Sequence, residues 1–405
     1  MHLFINSLAA SAGGGLTYIR NVLPLLAQKT DVRVTMALGP TLRREFPVFP
    51  NVNFLELEIS TVRRFWFEQS HLPQLIQGSG ADVLLSAGNF AVRHCPVPQI
   101  LLSRNSIYTS ADYFCDLRAR GEYRMWVDTR IQGWLAKKSV QWADVTVAPS
   151  EAFAGELRRW TGKPVQAIHH GFDAVAFASS SRSLTTQLEQ KLQEVKEAFK
   201  ILFVSHYNYY RNFETLLRAL PLLPNAMAGR PIKLLLTCKF DREETPGSYR
   251  PEKAAKLVQE LGVAGMVVEL GSIPYDQLHH LYRAADLYVT PAYTETFAHP
   301  LVEAMASSVP VVASDLPVHR EICQDAALYF PKFSAEALAK SIVQVGTSPE
   351  TVTRMWIAGA ERVSQFSWKK HVDAVLDLSS NLIAEKSDQR INSAQAASAK
   401  PYEPR

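Results

Sequence analysis

The sequence predicts an α/β protein made of two doubly wound domains, and three observations carry that reading. The chain opens on a short apolar run, a glycine cluster and a helical stretch, the first βα unit of such a domain. The same strand–loop–helix order starts afresh at Lys200. A length of 405 residues suits two domains of ordinary size, and a hydrophobic content of 47% can fill two cores.

In the first half, His2-Leu3-Phe4-Ile5-Asn6 is the opening strand, Ser11 to Gly15 the loop and Leu16 to Ala27 the helix. Gly14 and Gly15 let backbone N–H groups approach a ligand, although a tight turn would need them equally. The spacing is not G-x-G-x-x-G, and no acidic residue follows the next strand as a dinucleotide site requires, which disfavours a nicotinamide-dependent oxidoreductase. Further strands are expected at Val32–Leu38, Val52–Leu57, Asp82–Ser86 and Gln99–Ser103. The C-terminal ends of parallel strands line the ligand crevice, so Arg104 and Asn105 are ligand candidates.

Thr61 to Phe67 mixes aromatics with arginines and reads as a partly exposed helix start. Asp116 to Trp142 is one long helix or a broken pair, with more basic than acidic side chains. Trp126, Trp134 and Trp142 recur every eight residues, which at ~100° per residue gives no single stripe. A packed helix with a solvated basic face fits this better than membrane docking, which stays open as the alternative. Ala143–Ser150 is the sixth strand, Ser150 caps a helix from Glu151 to Trp160, and the stretch Val165 to Asp173 follows. His169 and His170 have no third ligand in sequence and are not read as a metal site.

Ala178 to Ala198 is Ser-rich, then charged and amphipathic: a linker and lead-in helix. Lys200–Ser205 is a buried strand, followed by a loop from His206 to Asn212 and a helix from Phe213 to Leu220. Strands at Lys233–Cys238 and Val267–Leu270 flank a polar loop and a helix from Ala254 to Leu261, and Tyr275–Ala285 is helical. Leu287–Thr290 is a strand stopped by Pro291, and the next loop carries Glu295. Pro300 opens a helix to Ser307, with Glu303 inside its first turn. Val309–Ala313 is the next strand, and helices follow at Ala335–Val345, Pro349–Gln365 and Phe366 to about Ile383. Lys386 to Arg405 has no apolar period and is expected to be disordered.

The chemistry concentrates between Glu295 and Glu303. Backbone N–H groups near Leu301 and Val302, at a helix start, attract phosphate. Two carboxylates beside an anion site fit a ligand with hydroxyls at both ends and charge in the middle, such as a sugar on a nucleotide diphosphate. An ordinary βα crossover with a capped helix is the alternative.

Glu-Thr-Phe-Ala-His-Pro-Leu-Val-Glu-Ala, followed by a Pro-Val-Val strand, resembles the E-x7-E signature of family 4 glycosyltransferases, retaining enzymes of the GT-B fold. That fold has two Rossmann-like α/β/α domains facing across a cleft, with a C-terminal helix crossing back to the first. The resemblance implies an acceptor-side domain over 1–177, a linker and lead-in helix over 178–199, a nucleotide-sugar domain over 200–365, a crossing helix over 366–385 and a tail over 386–405. It implies that Glu295 lies near the donor sugar and Glu303 at the ribose, with Phe297, Ala298, Leu301 and Val302 around the donor. Ala298 stands where the family usually has Gly. Relatives read G-R-x4-K-N after the first strand of the second domain, and here His206 and Arg211, before Asn212, occupy the charged positions. The resemblance gives them the diphosphate and, with Glu295, the catalytic role. It puts Ser272 and Ile273 at the nucleobase, Gly14 and Gly15 against donor phosphates or acceptor, and Arg104 and Asn105, where many relatives carry a His, on the acceptor side.

The implied activity is retaining transfer of a sugar from a nucleotide-diphosphate sugar to a saccharide or lipid-linked acceptor, in cell-surface polysaccharide assembly. The chain has no D-x-D motif, so metal independence is expected, with no cofactor beyond the co-substrate. Two alternatives remain: a nucleotide-sugar epimerase of the same fold, and a catalytically inactive donor-binding or scaffold protein. A net charge of +4 suits anionic substrates or a lipid surface and is far from what nucleic-acid binding calls for. Four scattered cysteines point to a reducing cytosol. There is no signal-peptide pattern and no run of 18 apolar residues, so a cytoplasmic protein is expected, with peripheral contact at the inner face of the membrane left open.

Overall fold

A computed structural model describes residues 1–10, 13–179, 182–245 and 247–398. It divides into two compact units: Met1–Asn105 with Ile131–Gly171 and the chain from Trp368, and Ser106–Arg130 with Phe172–Ser367. The first unit is built on β1 (His2–Asn6), β2 (Arg33–Leu38), β3 (Val52–Glu56), β4 (Val83–Ser86), β5 (Gln99–Leu102), β6 (Val145–Ala148) and β7 (Gln166–Ala167). These pair in parallel in the order β3-β2-β1-β4-β5-β6-β7. All five residues of β1 are buried, as a strand covered on both faces requires.

The second unit repeats the plan with β8 (Phe199–Phe203), β9 (Ala226–Met227), β10 (Arg230–Leu236), β11 (Val267–Glu269), β12 (Leu287–Thr290), β13 (Val311–Ser314) and β14 (Ala327–Phe330). Their order is β11-β10-β8-β12-β13-β14, all parallel, with short β9 antiparallel on β10. In each unit the strand order reverses beside the first strand, between β1 and β4 and between β8 and β12. Loops leaving those strand ends diverge there and open a crevice, so the topology itself nominates two ligand sites. The pair of Rossmann-like units matches the fold that the sequence implies. The last helix starts at Trp368 and returns to the first unit, where Trp368, Val372 and Val375 join the core of Leu3, Ile5 and Tyr18.

Several local expectations change. The first helix begins at Gly13, so Gly14 and Gly15 sit in its first turn rather than in a loop, and Ser11 and Ala12 lie outside the described residues. A β-carbon on Gly15 would come within 3.3 Å of the Ala10 Cα, which explains the glycine there. The stretch Asp116–Trp142 is a broken pair, Ala111–Ala119 and Tyr123–Trp142, parted at Gly121 with φ +73°. The last helix runs on to Ser398 instead of ending near Ile383. Ala, Glu, Lys, Gln and Arg hold a helix without an apolar period, and Lys386 is anchored to Asp144 at 2.8 Å. Residues 399–405 of the expected tail, and 180–181 of the linker, lie outside the described residues.

Ser106–Arg130 packs with the second unit, although its place in the sequence suggests the first. Tyr113 and Leu117 enter the core of Phe203 and Phe213. Arg120 bridges Asp116 and Glu214, each at 2.7 Å, and lies over the Tyr209 ring. The Tyr293 hydroxyl donates to Asp116 at 2.8 Å, and the Tyr209 hydroxyl to Glu122 at 2.9 Å. Paired charges and satisfied hydroxyls of this kind are what allow so polar a layer to be half-buried.

Candidate active site

The second unit's switch point is framed by the loop after β8, Ser205 to Asn212, and the loop after β12, Pro291 to Ala298. Asn212 fastens one to the other. Its Nδ2 donates to the Pro291 carbonyl at 3.0 Å and to that of Lys332 at 2.7 Å, while Thr215 donates to its Oδ1. The residue adopts a left-handed conformation with φ +56°, which asparagine tolerates. A backbone bond from Tyr293 N–H to the Tyr210 carbonyl adds a second stitch at 3.0 Å. The two loops are therefore fastened together, and they bring Arg211 and Glu295, 84 positions apart in sequence, into a direct ion pair.

His206, on the same loop as Arg211, faces a cavity of about 530 Å³ together with Lys239, Glu244, Gly271 and Ser272. Burial, and secondly the Arg211 charge, hold its pKa below the ordinary imidazole value. Gly271 turns with φ +84° ahead of Ser272. Ile273 follows but does not line this cavity. Glu303 sits in the helix His299–Ala306 and is 3% exposed. The Tyr282 hydroxyl donates to its Oε2 at 2.8 Å. Burial pushes the Glu303 carboxyl up to about 7, against the opposing effect of that hydrogen bond. Phe297 is buried against Phe366 and His299. Leu301 is not the open donor that the sequence suggests, because its N–H is taken by the Ala298 carbonyl at 3.0 Å. Val302 is wholly buried beside it.

At the first unit's switch point, Arg104 donates to the Gly14 carbonyl at 2.8 Å and to that of Ala87, and its ring-facing guanidinium lies 5.0 Å from the Tyr18 centroid. Those contacts tie the chain after β4 and after β5 to the first helix. Asn105 follows it, partly buried. Among the described residues no three His, Cys, Asp or Glu side chains converge as a metal site, and no helix is long and apolar enough to cross a membrane.

Residues 185–362 match the family model described as Glycosyl transferases group 1. This stretch belongs to that family. Beyond it, the chain is 30% identical over 224 residues to D-inositol 3-phosphate glycosyltransferase of Mycolicibacterium smegmatis, covering 52% of this chain and 46% of that one. It is 26% identical over 239 residues to the Thermobifida fusca protein of the same name, covering 58% and 54%. The alignments thus span about half the length of these relatives. Among solved structures, sucrose-phosphate synthase from Thermosynechococcus elongatus superposes with a TM-score of 0.72 at 21% identity, over 95% of this chain and all of that one. Anabaena HepE in complex with UDP-glucose gives 0.69 at 15% identity, over 94% and 100%. At such identities the likeness is one of fold.

Within the group 1 segment, Ala298 caps the Glu303 helix at φ +62° and ψ +63°, where an L side chain is strained and glycine is not. Ala298→Gly is accordingly expected to raise stability by up to about 1 kcal/mol, the relief of strain exceeding the added chain entropy. A thermal melt that falls instead would mean that the Ala298 methyl makes packing contacts worth more than the strain. Sequence reading missed Tyr282, His319 and the Lys239–Glu244 pair. Lys239 and His319 follow the ends of β10 and β13 closely, and that position is the signal that could have found them; Tyr282 lies inside the helix Leu278–Ala284 and carried no such signal.

Proposed function

We propose that the protein is a retaining glycosyltransferase that moves a sugar from a nucleotide-diphosphate sugar to a saccharide or lipid-linked acceptor. The observation that carries the reading is the joining of Arg211 and Glu295 at the second unit's switch point, next to the start of the helix that holds Glu303. In the proposed reaction the bond between the anomeric carbon and the diphosphate breaks, and negative charge grows on the leaving phosphate. Arg211 can grip two phosphate oxygens, and His206 adds a donor where that charge develops. Fixed donors of this kind, each contributing ~3–4 kcal/mol, are usually the largest catalytic effect. Glu295, released from Arg211 by the arriving phosphates, would turn to the sugar hydroxyls and Glu303 to the ribose. Ser272 and Ile273 would take the nucleobase, with Phe297, Ala298 and Val302 backing the donor. Gly14, Gly15, Arg104 and Asn105 would shape the acceptor side. Because Arg211 supplies the countercharge, the reaction would need no metal.

The HepE complex makes UDP-sugars the first donors to try. With ligand at 100 times its Kd, thermal shift is expected to report ~2.7 kcal/mol of added stability, unchanged by EDTA and lost in Glu303→Ala. If UDP, GDP, ADP and their sugars all leave the wild type unmoved, the donor site is wrong. Peripheral membrane contact is supported by one face of the helix Tyr123–Trp142, where Tyr123, Val127, Ile131 and Trp134 are exposed beside Arg130, Lys137 and Lys138. Co-sedimentation with anionic but not neutral vesicles is expected, and equal sedimentation with both would remove the basic residues from the account. Free thiols at all four cysteines support a reducing, cytoplasmic setting, and assembly of cell-surface glycans is the pathway class proposed.

A further inference from the structure

Two buried nitrogens near the second unit's switch point have no hydrogen-bond partner among the described residues: Nε of Arg211 and Nε2 of His319. His319 belongs to the helix Pro317–Cys323 that follows β13, and it is completely buried. Its Nδ1 lies 2.8 Å from the Ser314 carbonyl and 3.2 Å from the Ser314 hydroxyl. A carbonyl only accepts, so Nδ1 carries the proton and Nε2 presents a lone pair. The Ser314 hydroxyl in turn donates to the Ala292 carbonyl, on the loop that carries Glu295. His319 is therefore locked at one edge and open at the other. Burial first, and the Arg211 charge among the lesser causes, push its pKa down to about 4, so the ring is neutral at any ordinary pH. The two unpartnered atoms have opposite sense: Arg211 Nε–H donates, and His319 Nε2 accepts.

We propose that His319 is a positioning residue for Arg211, offering Nε2 to the Arg211 Nε–H across one water and so aiming the guanidinium at the switch point. An arginine on a loop has many rotamers, and pairing with Glu295 fixes only one end of its fork. A second fixed contact at Nε would hold the guanidinium plane while Nη1 exchanges Glu295 for a ligand oxygen. The catalytic consequence rests on the donor-site reading above, but the contact itself does not.

The test uses the full chain. His319→Asn keeps an N–H near the Nδ1 position for the Ser314 carbonyl and removes the Nε2 acceptor. His319→Gln places an amide oxygen near Nε2. The Asn variant is expected to keep the wild-type melting behaviour and lose about tenfold in kcat with UDP-sugar donors, as removal of one hydrogen bond to a charged group implies. The Gln variant is expected to recover part of that loss. In an Arg211→Lys background, which has no Nε–H, His319→Asn is expected to change kcat by less than twofold. An equal loss in both backgrounds, or no loss in the first, overturns the proposal. A readout independent of any donor is the imidazole 15N spectrum: the His319 Nε2 resonance is expected to be that of an unprotonated nitrogen and to shift in Arg211→Lys. An unmoved resonance overturns the contact. A wild type that binds no nucleotide overturns the donor reading instead, and leaves the spectrum to decide on His319.

Discussion

Arg211→Ala is expected to lower kcat by about 10²- to 10³-fold, the usual effect of deleting one preorganised donor to developing charge. The substitution has a second consequence that must be separated from the first. Glu295 is a nearly buried carboxylate, 10% exposed at its side chain, and Arg211 is its partner. Removing the cation leaves that charge uncompensated and should cost stability, up to about 3–5 kcal/mol if solvent is fully excluded and less because it is not. Pairing Arg211→Ala with Glu295→Gln removes the orphaned charge. The double variant should recover most of the melting temperature, while its kcat stays low because Glu295 itself serves the sugar in the proposed site. If activity returns with stability, Arg211 acts as a structural counter-ion and the diphosphate must be held elsewhere.

Glu303→Gln is the second substitution with a large expected effect, and its signature is a change in pH dependence. The carboxyl titrates near 7 in the folded protein against an ordinary 4.5. Between those values the folded state keeps a proton that the unfolded chain has released, so wild-type stability falls as pH rises from about 4.5 to 7 and then levels off. The full span corresponds to about 3 kcal/mol. Glutamine does not titrate, and its Oε1 can still accept from Tyr282, so the variant should lose this slope while remaining folded. Denaturant midpoints measured from pH 4.5 to 8 decide the matter, and parallel profiles for the two proteins would refute the buried-acid assignment. If Glu303 also meets a ribose, donor affinity should drop about tenfold in the variant, because a charge-assisted hydrogen bond becomes a neutral one.

Much of the fold was legible because its strands are short β-branched runs ended by Pro, Gly or Ser, and Leu287–Thr290 before Pro291 is an example. β14 escaped because Ala327–Phe330 is only four residues long, with no β-branched side chain and no alternation to mark it. The part of the expected tail up to Ser398 is helical instead, because apolar periodicity tests for packing, whereas helix propensity carries these residues. At the site, residue types and spacing nominated Arg211, Glu295 and Glu303 individually. Spacing held no information on the Arg211–Glu295 pairing, which depends on Asn212 bridging two loops. Nor did it reveal that Arg104 would be engaged by the carbonyls of Gly14 and Ala87. Such facts are tertiary: they arise from which strand ends become neighbours.

The segment Ser106–Arg130 bears on how the chain can be divided. It is encoded between two stretches of the first unit but supplies Tyr113 and Leu117, almost wholly buried, to the core of the second. A cut in the 178–199 linker therefore yields no self-sufficient half. The downstream piece would expose the apolar seats of those two side chains and strand Glu214 without Arg120. The upstream piece would carry a length of helix evolved for another surface. For shuffling among relatives, the exchangeable module is consequently discontinuous: residues 106–130 must travel with 172–367, or the graft begins with an open core.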